Sequence, residues 1–382
     1  MIRSGHTISD VILHVHYVMP CLVSAGSNAH GQLANGTVDD SHVFATCVFT
    51  DLPPDCQVVD LCCGANHTLL LLETGEGLRE LWGCGDGRAG QLGLDWVEPG
   101  ASFRPVMLNR DGYTPKLVSA SWETSYVVLS RPGQRDVLIS MGANDFGDLG
   151  VGASRSAAGI HVVELPCDGE TITALYAGQH HVVIQVNGAQ LVGWGLSRHG
   201  QLGEPKSKVA LPRIIPIEGQ IMSLALGAQH TALLLTSSHV TGLGSNRKEQ
   251  LHGIDMLSDV RMVGCTWNGT YAVVGDRIYS TGSHSKGQLG RSLTDLPYVE
   301  FPHDRHLKKL ACGTEHVLAL FDVVNGDPEV WGWGWNEHGN LGLGTTEDIR
   351  LPVKIWPRDS ASGSGRAVDI WAGSGTSWIC VQ

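Results

Sequence analysis

The chain has 382 residues, 42% hydrophobic and only 6% aromatic, with 49 glycines and a formal net charge of −12. That acidic balance argues against a nucleic-acid clamp or binding to an anionic membrane surface, since either needs a Lys/Arg face. Ten cysteines without a Cys-x-x-Cys pair exclude zinc-finger spacing and read as reduced thiols of a cytosolic or nuclear protein, and no run of 18 apolar residues offers a helical membrane span.

Residues 1–18 match nothing downstream and are expected to form an N-terminal extension. Their apolar stretch Val11–Val18 is interrupted by His14 and His16, which is poor for a secretion signal. From about residue 19 a turn unit recurs. It opens as Ser27-Asn28-Ala29-His30-Gly31-Gln32-Leu33 and returns around Gln91-Leu92, Asp148-Leu149, Gln201-Leu202, Gln250-Leu251, Gln288-Leu289 and Asn340-Leu341. The steps between successive leucines are 59, 57, 53, 49, 38 and 52 residues. Self-similarity at such a period is the mark of a repeat architecture.

A second half-unit alternates with the first: a small-residue step, often followed by His, leading into an apolar strand. Its copies include Cys63-Gly64-Ala65-Asn66-His67-Thr68, Ala120-Ser121-Trp122-Glu123-Thr124-Ser125 and Leu226-Gly227-Ala228-Gln229-His230-Thr231. Others are Cys265-Thr266-Trp267-Asn268-Gly269-Thr270 and the terminal Ala372-Gly373-Ser374-Gly375-Thr376-Ser377. Each half-unit reads as two short strands, so a full unit is a four-stranded antiparallel sheet. Seven such sheets make an all-β, seven-bladed β-propeller over residues 19–382. The chain begins in one half-unit and ends in the other. Residues 19–55 and 367–382 should therefore pair in one blade and close the ring. The repeat leucines should be buried plugs between blades. Longer spacers at 94–116 and 151–170 read as insertions, 252–287 as the leanest interval, and 358–366 as a surface loop.

Most eye-catching motifs have a repeat explanation. Gly85-x-Gly87-x-x-Gly90 has the letters of a dinucleotide fingerprint but runs into Gln91-Leu92-Gly93 rather than a helix. His67, His181, His230 and His316 recur at one repeat position, one per sheet, which suits hydrogen bonds to a neighbouring strand's backbone better than a metal. The sequons at Asn35, Asn66 and Asn268 fall inside repeat units. No catalytic motif, cofactor site or metal site is expected.

The run Trp331-Gly332-Trp333-Gly334-Trp335-Asn336-Glu337-His338-Gly339-Asn340 stands apart. Alternation places the three tryptophans on one pleat face, with the glycines leaving the other face open to another backbone. Trp82 and Trp194 occupy the Trp331 or Trp333 position elsewhere. Trp335 has no aromatic counterpart; its place is taken by Asp86, Asn144, Leu196, Ser245 or Ser283. Core packing and a partner interface both remain open for it. Trp333, Trp335, Glu337 and His338 form the candidate partner-binding set.

The double signature, Gly-x-Asn-x-x-Gly-Gln-Leu-Gly with Gly-x-x-His-Thr, resembles the regulator of chromosome condensation repeat family across residues 19–382. That resemblance implies a seven-bladed propeller closed by its two termini. Within the family, the Trp331–Asn340 run is similar to the final repeat of the small fungal alpha-tubulin suppressor branch, except that Trp335-Asn336 stands where that branch has one glycine. This implies a non-enzymatic accessory protein that binds the small CSL-type zinc protein of diphthamide synthesis and so supports Elongator-dependent modification of transfer-RNA wobble uridine. The founding member is an exchange factor for the Ran GTPase and docks on chromatin. This chain departs from it in its acidic charge, in lacking a basic N-terminal tail and in having no long insertion to act as a wedge. Guanine nucleotide exchange on a small GTPase, and an adaptor role in a ubiquitin or trafficking complex, are the alternative functions.

Overall fold

The computed structural model describes residues 21–108, 112–152, 159–167, 171–293, 296–357 and 365–382. The expected extension at 1–18 and most of the 358–366 loop lie outside the described residues. The rest forms a seven-bladed β-propeller of antiparallel sheets. Blade 1 takes its inner strands, Ala367–Ala372 and Thr376–Val381, from the C-terminal end and its outer strands, Cys21–Gly26 and Ser41–Thr46, from the N-terminal end. The seam is the pairing of Cys21–Gly26 with Thr376–Val381, six residues in unbroken register from Cys21↔Val381 to Gly26↔Thr376. Ring closure through both ends is as the sequence predicts.

The other blades follow in chain order, each running from the axis outward. Blade 2 is Gln57–Cys63, His67–Glu73, Arg79–Gly85 and Gly100–Pro105. Blade 3 is Thr114–Ala120, Thr124–Ser130, Val137–Gly142 and His161–Val162. Blade 4 is Ile172–Ala177, His181–Val186, Gln190–Ser197 and Ser207–Ile215. Blade 5 has three strands, Ile221–Leu226, His230–Leu235 and Val240–Gly244. Blade 6 is Val260–Thr266, Gly269–Val274, Arg277–Gly282 and Tyr298–Val299, and blade 7 is Arg305–Cys312, His316–Val323, Glu329–Gly334 and Ile349–Trp356.

The short 38-residue step is thereby explained. The saving is in the outer edge of blade 5, where the single 3-10 turn Ile254–Met256 stands in for a fourth strand.

One glycine recurs because geometry demands it. The third strand of every blade carries Gly26, Gly85, Gly142, Gly195, Gly244, Gly282 or Gly334, as its last residue except in blade 4, where it runs on to Ser197, with φ between 93° and 121°. A Cβ there would lie 2.1–2.5 Å from the carbonyl oxygen of the residue that precedes the second strand. Only glycine allows both the left-handed backbone and that close approach. The chain then turns, and in four blades an Asn side chain fixes the turn, buried at Asn28 and Asn336, half-buried at Asn144 and exposed at Asn246. Asn28, Asn144, Asn246 and Asn336 each accept from the backbone N–H of the repeat leucine at 2.8–3.0 Å. Six of the seven leucines are buried, and Leu251, beside the missing strand, is half-exposed.

The cores lie between blades. Leu33 packs with Trp82, Phe103 and Trp378 across blades 1 and 2, and Leu341 packs with Ile355, Ile370 and Ile379 across blades 7 and 1. Fully burying one such leucine stabilises the fold by about 1.5–3 kcal/mol.

The recurring histidines tie blade to blade, through a side-chain hydroxyl of the next blade in all four and, for His230 and His316, through its backbone too, as the sequence suggested. The Nε2 atoms of His67, His181, His230 and His316 lie 2.9–3.2 Å from the hydroxyls of Ser125, Thr231, Thr270 and Ser377, each in the next blade. The rings pack against Gly64, Gly178, Gly227 and Gly313, where a Cβ would come within 2.1–2.7 Å of the imidazole Cε1. Burial holds these imidazoles neutral, pushing them down to about 4 for His67, His230 and His316 and about 3 for His181.

Blades 1, 3 and 6 lack the histidine. In blade 1 Thr376 takes its place, Gly373 is kept and Trp378 stands two residues further on; in blades 3 and 6 Thr124 and Gly269 take its place, Ser121 and Thr266 replace the glycine, and Tyr126 and Tyr271 stand two residues further on. Their hydroxyls donate to the carbonyls of Asp148 and Gln288 at 2.9 and 2.6 Å. Two strand positions place them on the same face as the missing imidazole, so six blades carry one of two fillings and blade 1 a third, Thr376 with the buried Trp378.

Candidate functional site

The turns between first and second strands, and those that follow the third strands, open on one face of the ring. At its centre, backbone hydrogen bonds pass from blade to blade around the axis: Ala65 N–H to Trp122 O, Trp122 N–H to Gln179 O, Ala228 N–H to Trp267 O and Trp267 N–H to Thr314 O. Trp122 and Trp267 meet over the axis with ring centroids 5.5 Å apart and planes tilted 44°. A hollow of about 300 Å³ is lined by this pair together with Trp335, His338, Lys286, Glu315 and Asn66.

The structure separates the three tryptophans of the 331–335 run. Strand Glu329–Gly334 ends at Gly334, so Trp335 does not continue the pleat on which Trp331 and Trp333 lie. Trp331 is half-buried against Phe301, and its indole N–H donates to Glu329, as Trp82 donates to Glu80 in blade 2. Trp333 is fully buried, and its indole N–H donates 2.9 Å to the carbonyl of Gln288 in blade 6. Trp194 does the same toward Asp148. Trp333 is thus a blade-to-blade core residue, which removes it from the partner-binding set. Gly332 is not an approach point for backbone either. The space over it is filled by Leu341 and Ile355 side chains.

Trp335, Glu337 and His338 do come together at the surface. The Trp335 indole N–H donates to Glu337 Oε2 at 3.1 Å, and the Trp335 and His338 rings meet edge to face at 5.3 Å. His338 Nδ1 lies 2.6 Å from Asp40 Oδ2, which joins blade 7 to the outer loop of blade 1. The other Asp40 oxygen accepts from the Asn28 N–H. Lys286 of blade 6 reaches toward Glu337 and Asp348 at 4.0 and 3.6 Å. Trp335 lies over Gly375, and its backbone N–H donates to Glu315 O. The same backbone bond in blade 3 is made by Ala143, so Ala143 rather than Asn144 is the counterpart of Trp335 there.

Inside the hollow, Glu315 accepts from the amides of Asn268 and Gln288 at 2.6 and 2.7 Å. Burial nevertheless raises its carboxyl above the ordinary range. The neighbouring cysteines are unsuited to thiol chemistry: burial raises Cys63 to about 11 and Cys265 to about 12. Among the described residues, no group of three or more His, Cys, Asp or Glu is placed to hold a metal ion. The face offers indole surfaces, amides and fixed charges, which is the equipment of recognition.

Trp122 and Trp267 were legible in the sequence but not singled out. They stand at a position held elsewhere by Ala65, Gln179, Ala228, Thr314 and Ser374, and both belong to the tyrosine-bearing blades 3 and 6.

The regulator of chromosome condensation (RCC1) repeat family matches residues 327–379 and, in a second form of the same repeat, residues 58–91. The chain is similar to the RCC1 repeat-containing protein C10F6.04 of Schizosaccharomyces pombe, 26% identical over 381 residues covering 94% of this chain and 99% of that protein. It is likewise 26% identical over 380 residues to the secretion-regulating guanine nucleotide exchange factor of Bos taurus, covering 87% of this chain and 78% of that one. The solved structure of Prp20p from Saccharomyces cerevisiae superposes with a TM-score of 0.77 at 18% identity, covering 95% of this chain and 92% of Prp20p, and so shares the fold. With seven blades, the closing seam and these matches in hand, the chain is an RCC1-repeat protein with an RCC1-like propeller.

Proposed function

We propose that this propeller is a non-enzymatic interaction scaffold that binds a small GTPase through its turn face, in the manner of a guanine nucleotide exchange factor. The carrying observation is the end-to-end similarity to a relative named as an exchange factor. A mouse protein named RCC1-like G exchanging factor-like protein adds to it, at 24% identity over 91% of this chain and 57% of that protein. The turn face supplies matching chemistry. Exposed acidic side chains beside indole surfaces can compete for the magnesium and phosphate region of a nucleotide-binding partner. The test is release of labelled GDP from purified Ran-type and secretion-linked GTPases, with pull-down of the nucleotide-free forms. Neither acceleration nor capture would overturn the reading.

A second reading, binding of a small CSL-type zinc protein in support of Elongator and diphthamide synthesis, rests on the surface cluster of Trp335, Glu337 and His338 alone. None of the relatives named here points to that partner. Pull-down with mass spectrometry separates the two readings, and both place the protein in the cytoplasm or nucleus.

A further inference from the structure

The repeat makes it possible to compare charge at one height all around the turn face. Three residues beyond the third-strand glycine, blade 4 carries Arg198 and blade 5 Arg247; one residue further, blade 5 carries Lys248 and blade 6 Lys286. Arg198, Arg247 and Lys248 are exposed and form no ion pair among the described residues. The same step in the two flanking blades carries Asp145 in blade 3 and Glu337 in blade 7. A cationic arc over blades 4 and 5 therefore lies between Asp145 on one side and, on the other, Lys286, whose ammonium reaches Glu337 and Asp348, on a chain of net charge −12.

Neighbouring groups respond to that field. His199 is held below the ordinary histidine range by burial and then by Arg247, Arg198 and Lys206. His284 is lowered by burial, Arg350 and Arg291. The arc also adjoins apolar surface, because Lys286 lines the same hollow as Trp267 and Trp122.

We propose that the turns of blades 4–6 form a docking site for a short acidic protein segment, with an aromatic or apolar residue of that segment seated on Trp267 and Trp122. The bounding acids decide the class of partner. A duplex nucleic acid carries closely spaced charge far beyond two blades and meets repulsion at Asp145 and Glu337, whereas a short acidic peptide ends within the arc. Desolvating a peptide side chain against indole faces adds contact that the charges alone do not supply. The proposal stands whether or not the partner is a GTPase, so its failure and that of the exchange reading are separately visible.

The experiment uses the full chain and fluorescein-labelled Glu-Glu-Phe-Glu-Glu, with Lys-Lys-Phe-Lys-Lys and a short DNA duplex as comparison probes, read by anisotropy at low and moderate salt. The acidic peptide is expected to bind, with an affinity that falls as salt rises. Arg198→Glu/Arg247→Glu/Lys248→Glu should weaken binding by about tenfold or more, while Arg88→Glu in blade 2 should leave it unchanged. Where charge reversal lowers the melting temperature, the corresponding triple alanine variant replaces it. Asp145→Lys/Glu337→Lys, which lengthens the arc, should let the duplex bind. Equal binding of the lysine peptide, unchanged binding by the triple variants, or tighter binding of the duplex than of the peptide to the natural chain would each overturn the proposal.

Discussion

The closing seam inside blade 1 and the outer edge of blade 5 solve opposite problems. At the seam the N-terminal strands Cys21–Gly26 and Ser41–Thr46 meet the C-terminal end of the chain without a peptide bond, and contacts accumulate on them. Phe44 meets Trp356 edge to face at 6.0 Å and His338 reaches Asp40, each tying the N-terminal half of blade 1 to blade 7. The turn glycines Gly339 and Gly342 are packed against His42 and Phe44. Blade 5 is covalently continuous with its neighbours and does without a strand. Its repeat leucine is half-exposed and Met256 is 79% exposed. The difference teaches that stability is concentrated where the chain's connectivity gives no help.

Deleting residues 367–382 should have the largest effect. It removes both inner strands of blade 1 and leaves Cys21–Gly26 with an unpaired edge. The expected outcome is loss of the cooperative thermal transition followed by circular dichroism. A transition that persists at an unchanged temperature would break the comparison.

Acidification should come next, and it acts at the seam and elsewhere alike. His67, His181, His230 and His316 are depressed when folded, so the unfolded chain binds more protons between the folded values and about 6.5. Their contribution is fully present above about pH 6.5 and is lost as pH falls toward 4, at about 1.4 kcal/mol per unit of depression for each group. Melting temperature measured from pH 7.5 to 4 should fall steeply in that window. Replacing His230 or His316 with Asn should lower stability at neutral pH and flatten the slope.

A direct comparison of the two regions is Leu341→Ala against Leu251→Ala. The first empties a closed inter-blade core and should cost about 2–5 kcal/mol by chemical denaturation. The second, already half in water beside the 3-10 turn, should cost less than half as much. Equal costs would show that the missing strand is compensated by packing not apparent from the exposure of Leu251.

The smallest stability effects belong to the surface cluster. Trp335→Ala and His338→Ala should each cost under about 1 kcal/mol, since the His338–Asp40 pair is open to solvent. Partner capture should nevertheless weaken. If either change unfolds the protein, the cluster is part of the closing seam and not a binding surface.

The ring, its closure and six buried leucines were readable because the Gly…Gln-Leu spacing reports a backbone requirement that no other residue meets. The strand missing from blade 5 was visible only as a short interval, since a 3-10 turn carries no pattern of its own at that length. Trp335 was put on the pleat of Trp331 and Trp333 because alternation was carried through Gly334, where the backbone leaves the pleat, and Trp333 lies before that point in the inter-blade core. The axial pair Trp122 and Trp267 belongs to no local motif. Residues so distant in sequence meet only because the ring brings their blades to one axis.

The fillings of the blade interior couple positions that lie a few residues apart. Gly313→Ser alone would drive a Cβ into the His316 ring, and His316→Thr alone would leave a void with no aromatic ring to fill it. Blade 1 keeps Gly373 beside Thr376 and carries the buried Trp378 where the other two histidine-free blades have tyrosine, so every blade without the imidazole has a bulky ring two residues on. A change at one of these positions therefore calls for a matching change at another, and these residues behave as one packing unit per blade.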